Sequence, residues 1–426
     1  MNRGKAASKS TESQAGVSGG PITRSPEHTW GHTKPFGDQY FEGTLSIFEA
    51  IKRTEMPAIA DLAGRMASVL SHGGNVWMQA KQGHMCRFEF DQSNRGNPGI
   101  LRSNTEWDDT DYENMRKGDI LVTNYVNENV VNARKQGVFI AEVTVCYQDN
   151  PSFPRGFVKP SPLGILQQDV ADMIVDSHVP YEQGLVTCPE IPEMKLCPSS
   201  ANALAALFWM MQAEAANRAK NPGTSGSDKA AAVIDTLIDR VTAACGPQRD
   251  LISQCAPTVA KAIGGGGHYY VTSGHGGVQC EATGVASGPM MTNAFRRDMR
   301  KGDIHLLAAI ESDSEKILSE ARKSRDLGMF VVSIAPAGAQ ELRSLSDVFI
   351  DNLSPEDALV EIEGYDEKVG AIGGIMNNVL MWVFTAQFVD EMVRRGWIPW
   401  FWMGFYQEGG NEYCDAVKQF FRRQGF

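Results

Sequence analysis

No stretch of this sequence holds the roughly 20 consecutive apolar residues that a membrane-crossing helix needs. The longest runs, Ala201–Met211 and Val379–Phe388, are half that length and read as buried helices. No stripe of Lys and Arg is present either, and the net charge is -11. A surface for nucleic acid or anionic lipid needs concentrated positive charge, so both partners are excluded. The eight cysteines form no CxxC pair and no compact framework, which points to reduced, mostly buried thiols rather than disulfides or zinc ligands. No other metal-ligand spacing occurs, and nothing calls for a cofactor. Residues 1–40 are rich in Ser, Gly, Thr and Lys and lack the apolar core of a secretory signal, so they read as a disordered leader on a cytoplasmic protein.

What is present is enough for a large core: 426 residues, 42% hydrophobic and 21% charged, sufficient for two or three domains. The chain also repeats itself. Met115-Arg116-Lys117-Gly118-Asp119-Ile120 recurs letter for letter as Met299-Arg300-Lys301-Gly302-Asp303-Ile304, and each copy feeds an apolar run that suits a buried parallel strand. Weaker echoes surround it. Gly73–Met78 resembles Gly266–Val271, Gly137–Ile140 resembles Gly328–Val331, and Ala171–Asp176 parallels Ser346–Asp351.

Each half therefore reads as a long helix, a strand, a glycine turn, a helix, the strand after the hexapeptide, another helix and a further strand. It closes on a long apolar helix, near Ser199–Arg218 or Lys368–Arg395. Strands alternating with helices predict an α/β fold with parallel sheets covered on both faces. The expected organisation is a leader over 1–40, a first domain over 41–220, a linker over 221–229 and a second domain over 230–426 that ends in an aromatic tail.

Open parallel sheets collect ligands beyond the carboxyl ends of their strands. Two pairs of loops lie there. The first pair, Gln82-Gly83-His84-Met85 and Ser273-Gly274-His275-Gly276-Gly277, offers close backbone approach and two histidines able to carry protons near neutral pH. The second pair is Thr123-Asn124-Tyr125-Val126-Asn127-Glu128-Asn129 and Glu311-Ser312-Asp313-Ser314-Glu315. Its hydroxyls and amides either cap the next helix or contact ligand. The candidate catalytic residues are His84, Glu89, His275, Glu281 and Glu408. The candidate binding residues are Gly83, Thr123, Asn124, Asn127, Asn129, Ser273, Gly274, Gly276, Gly277, Ser312 and Ser314.

With Gly83-His84, Gly274-His275, Val175-Asp176-Ser177, Ile350-Asp351-Asn352, and Ile398-Pro399 followed by Gly409-Gly410-Asn411-Glu412, the chain resembles the sugar isomerase (SIS) domain superfamily as a tandem pair of domains, in particular a group of bacterial sugar-isomerase-domain proteins. The octet Gly274–Glu281 looks like the glycine turn of phosphoheptose isomerase. The resemblance implies two flavodoxin-like three-layer αβα sandwiches, assembly into a homodimer or larger homo-oligomer, and binding or isomerisation of a sugar or sugar phosphate. Two departures stand out. Ser287 occupies the place of the family's acidic base, and Thr123-Asn124-Tyr125 and Glu311-Ser312-Asp313-Ser314 replace its phosphate loop. An isomerase using proton transfer next to a carbonyl, a binding-only sugar-phosphate sensor and an assembly protein are the functions in play.

Overall fold

A computed structural model describes residues 34–80, 85–91, 94–103, 112–144, 165–274, 277–293, 298–355, 358–404, 407 and 409–426. The first half of this body runs α1 (Phe36–Thr54), α2 (Met56–Ser71), β1 (Val76–Gln79), α3 (Cys86–Glu89), β2 (Leu101–Ser103), β3 (Ile120–Thr123), α4 (Glu128–Lys135), β4 (Phe139–Val143), α5 (Gln167–Val170), β5 (Met173–Val175), a ribbon of β6 (Gly184–Val186) and β7 (Leu196–Pro198), and α6 (Ser200–Lys220). The second half runs α7 (Asp228–Ala244), α8 (Pro247–Gly264), β8 (Tyr269–Ser273), α9 (Gly277–Ala282), β9 (Thr292–Asn293), β10 (Ile304–Ala308), α10 (Glu315–Asp326), β11 (Phe330–Ala335), α11 (Gln340–Ser344), β12 (Val348–Asp351), α12 (Gly373–Arg394) and α13 (Gly410–Gln424).

Two five-stranded sheets follow, ordered β2-β1-β3-β4-β5 and β12-β11-β10-β8-β9, and every pairing within them is parallel. Read from the opposite edge, the second order matches the first strand for strand. β3 and β10, the strands that follow the repeated hexapeptide, are central, and every residue in them is buried, as a sheet covered on both faces requires. The fold is α/β, with helices flanking both sheets.

The hexapeptide has a mechanical job at the amino ends of the strands. Gly118 and Gly302 turn the chain at φ +93° and +89°, and their amides donate to the carbonyls of Gly137 and Gly328, themselves at φ +88° and +73°. Asp119 accepts from the Asn75 and Arg116 amides (2.9 and 3.0 Å) and from the Trp77 indole (3.0 Å). Asp303 does the same for the His268 and Arg300 amides, both at 2.9 Å. A second latch repeats too. Asp172 accepts from the Ile140 amide and pairs with Arg134, and Asp347 accepts from the Val331 amide and pairs with Arg325.

One apolar cluster gathers α1, α2, α6, α7, α8 and α12 with the inner faces of both sheets. α6 and α12 are buried on nearly all sides, which is why their sequences are apolar all round rather than amphipathic. α1 packs on α12 and α7, in the other half of the chain. It begins at Phe36, inside the stretch 1–40 expected as leader, because Phe36, Tyr40 and Phe41 form the start of its buried face. The aromatic tail also folds home: Trp400 stacks on Phe420 of α13, and its indole donates to Gln424. Among the described residues no helix is long and apolar enough to cross a membrane.

Candidate functional site

The short helices α3 and α9 follow β1 and β8 in the chain, and they pack against each other where the halves of the chain come together. Met85, at the start of α3, packs so closely on Gly277, the first residue of α9, that a side chain there would touch its Cγ at 3.0 Å. Glu89 and Glu281 lie on these two helices and are 7% and 2% exposed. The Cys86 thiol, on α3, is pushed well above its usual range by burial and then by the charges of Glu281 and Glu89.

Glu89 is held from two sides. The Trp209 indole of α6 donates to its Oε1 at 3.3 Å, and its carboxyl lies directly against Gly374 in the first turn of α12. Burial raises Glu89 to about 7, while the Trp209 hydrogen bond pulls the other way. A carboxyl poised there is half ionised near neutral pH and can both take and return a proton. Trp209→Phe removes a donor that favours the charged form, so the Glu89 titration should move up, by roughly one pH unit. A carboxyl-resolved NMR titration of the two proteins measures this, and an unmoved midpoint would show that the indole does not tune the acid.

Behind this pair runs a buried polar chain. Asn378 of α12 donates to Asn202 of α6 (2.8 Å), Asn202 donates to the Tyr40 hydroxyl of α1 (2.9 Å), and Tyr40 donates to the Pro198 carbonyl (2.8 Å). Glu281 adds to the electrostatic pressure that raises Tyr40, after burial and Cys197.

At the carboxyl end of β3, Thr123 and Asn124 are fully buried. The Thr123 hydroxyl lies 2.7 Å from Gln79 Oε1 and accepts from the Tyr125 amide, fixing the turn. Asn127 caps α4 by accepting from the Val130 amide, and Asn129 is exposed on that helix. In the second half, Ser273 accepts from the Gln279 amide within α9, and the Lys316 ammonium binds the carbonyls of Ser273 and Gly274 at 3.0 and 2.9 Å. Ser312 and Ser314 are half-buried just before α10, with Ser314 facing Gly274. Gly83, His84, His275, Gly276 and Glu408 lie outside the described residues.

The structure thus brings Glu89 and Glu281 together from opposite halves and leaves Asn129 apart on the surface. Sequence reasoning passed over Trp209 and Gly374, which approach Glu89 from α6 and α12; no local pattern marks a partner so distant in the chain. It also passed over Ser287 as a structural residue, although its φ is +64° and its hydroxyl donates to the Glu182 carbonyl at 2.7 Å.

No protein-family model matches the chain. A 113-residue stretch, 24% of the chain, is 26% identical to the UPF0309 protein of Brucella anthropi, and the chain spans about half (47%) of that relative's length. The C-terminal domain of glucosamine-fructose-6-phosphate aminotransferase from Francisella tularensis superposes with a TM-score of 0.52 at 10% identity, over 88% of this chain and 99% of that one. Tagatose-6-phosphate ketose/aldose isomerase from Escherichia coli gives a TM-score of 0.44 at 12% identity, over 86% and 95%. This chain shares the fold of that aminotransferase domain, with two parallel five-stranded sheets flanked by helices.

Proposed function

We propose that this protein binds a sugar phosphate and moves a proton next to its carbonyl, with Glu89 as the base. The observation that carries this reading is a carboxyl brought to about 7, beyond the carboxyl end of β1 and facing the second half of the chain. Aldose–ketose interconversion needs one group that removes a proton from the carbon beside the carbonyl and returns it to the neighbouring carbon through an enediolate, and an acid titrating near working pH suits both steps. Glu281, buried on the facing helix α9, is the candidate for a second proton-handling group. The solved structure that shares this fold, the C-terminal domain of glucosamine-fructose-6-phosphate aminotransferase, is named for a 6-phosphosugar, which agrees with this substrate class.

Ser287, at the place where the resemblance calls for an acid, is committed to a backbone carbonyl, and Lys316 is committed to the carbonyls of Ser273 and Gly274. Both features favour one working site rather than two, and they favour a binding-only sensor if Glu89 proves idle.

A thermal-shift screen against phosphorylated sugars, followed by a ketose/aldose assay on each stabilising compound, separates the readings. At 100 times its dissociation constant a ligand adds about 2.7 kcal/mol of stability. Glu89→Gln should keep that stabilisation and lose turnover by about 10² to 10⁴-fold. Stabilisation without product from the native chain would establish the sensor, and no stabilisation by any sugar phosphate would end the proposal.

A further inference from the structure

Gln79, Thr123 and Glu142 are partners in register across β1, β3 and β4, so their side chains stand in one row at the carboxyl end of the first sheet. The row faces the layer of α4 and α5, whose Val130, Ala133 and Val170 pack on Leu121 and Ile140 of the same sheet face. Glu142 and Gln167, the first residue of α5, are both 0% exposed. The Gln167 amide donates to Glu142 Oε2 at 3.0 Å. The other oxygen of each side chain, Glu142 Oε1 and Gln167 Oε1, is buried with no hydrogen-bond partner among the described residues.

Two orphan acceptors on side chains that already share one hydrogen bond are short of a single hydrogen. Protonation of Glu142 supplies it: the O–H becomes a donor, the Gln167 carbonyl accepts, and acid and amide close into a ring of two hydrogen bonds. An ionised Glu142 would instead sit buried beside an unpaired carbonyl oxygen, the most costly arrangement for such a pair. We infer that Glu142 is carried as a neutral carboxylic acid in the folded protein, paired with Gln167, and that this proton ties the end of β4 to the start of α5.

Among the described residues the charged groups on the surrounding elements are engaged elsewhere or face water. Arg134 of α4 binds the Asp169 carbonyl and the Asp172 carboxylate, and Asp169 accepts from the Leu166 amide. Asp176, beyond β5, accepts from Thr144 and the His178 amide, and Glu128 and Lys135 of α4 are exposed. Burial pushes Glu142 well above the ordinary carboxylate range, opposed only by the Gln167 hydrogen bond. The inference does not depend on a sugar-phosphate ligand.

The test uses the full chain with Glu142→Gln, whose amide keeps both hydrogen bonds of the ring and cannot ionise. Because the folded value is raised, Glu142 weakens nothing below the unfolded value near pH 4.3, and the native chain loses stability as pH climbs toward the folded value. The folding constant of the variant relative to the native chain should therefore rise about tenfold per pH unit between pH 5 and 7; a ratio that stays flat overturns the inference. Infrared spectroscopy gives a second readout. At pH 7, in a Glu89→Gln background that removes the other raised carboxyl, a protonated-carboxyl C=O band should remain and should vanish when Glu142→Gln is added. Absence of that band in the Glu89→Gln protein would also overturn the inference, whether or not the Glu142 variant folds.

Discussion

Asp119→Ala is expected to cost roughly 3 to 5 kcal/mol of stability, a large part of the 5 to 15 kcal/mol a domain usually has. The carboxylate is 2% exposed and receives three N–H groups, from Asn75, Arg116 and Trp77, which join the loop before β1 to the turn before β3. Hydrogen bonds to a charged acceptor contribute about 1.5 to 3 kcal/mol each, and their loss strands buried donors as well. Burial by itself would raise Asp119, but the Trp77, Asn75 and Arg116 donors outweigh it and hold the carboxyl below its usual range. The sign follows: the contribution is present above the unfolded value near 3.9 and disappears as pH falls through the folded value. Urea denaturation at pH 7 and again near pH 3 should show the gap between native and variant closing in acid. Arg116→Ala, which removes only an exposed side chain from the same hexapeptide, should change stability by less than about 0.5 kcal/mol. Equal losses from the two variants would show that the latch is not what the repeat maintains.

That contrast explains what the sequence made legible. The hexapeptide was its loudest signal, and it marks the amino ends of the central strands, away from the carboxyl edge that carries the candidate site. The strands themselves were readable because both faces are covered, so Ile120–Thr123 and Ile304–Ala308 open on near-continuous apolar runs. The closing helices α6 and α12 were readable for the same reason. The edge strands β2 and β9, of three and two residues, carry no periodicity of their own. Glu89 could be named from its place after the glycine turn, but its environment comes from Trp209 and Gly374, more than a hundred residues away in sequence. Glu142 did leave a trace: it is the one acid in the buried strand Phe-Ile-Ala-Glu-Val, and a charge in a strand covered on both faces requires an explanation.

Gly374→Ala should disable Glu89 without altering any titratable group. A methyl group at that position would lie 2.0 Å from Glu89 Oε2 and 2.6 Å from its Cδ, well inside contact distance. The glycine stands in the first turn of α12, a helix buried along almost its whole length, so the backbone has little room to retreat and the carboxyl must move. Displacement breaks the Trp209 hydrogen bond and shifts the carboxyl from the position proposed for the base. Overpacking of this kind costs about 1 to 3 kcal/mol, and a misplacement of an ångström in a catalytic group costs about a hundredfold in rate. The decisive comparison is a double-mutant cycle. In a Glu89→Ala background the space is open, so Gly374→Ala should become nearly neutral for stability while turnover stays low. If the glycine substitution costs the same with and without the Glu89 carboxyl, the two do not touch in the way described, and the case for a constrained base at this junction fails with it.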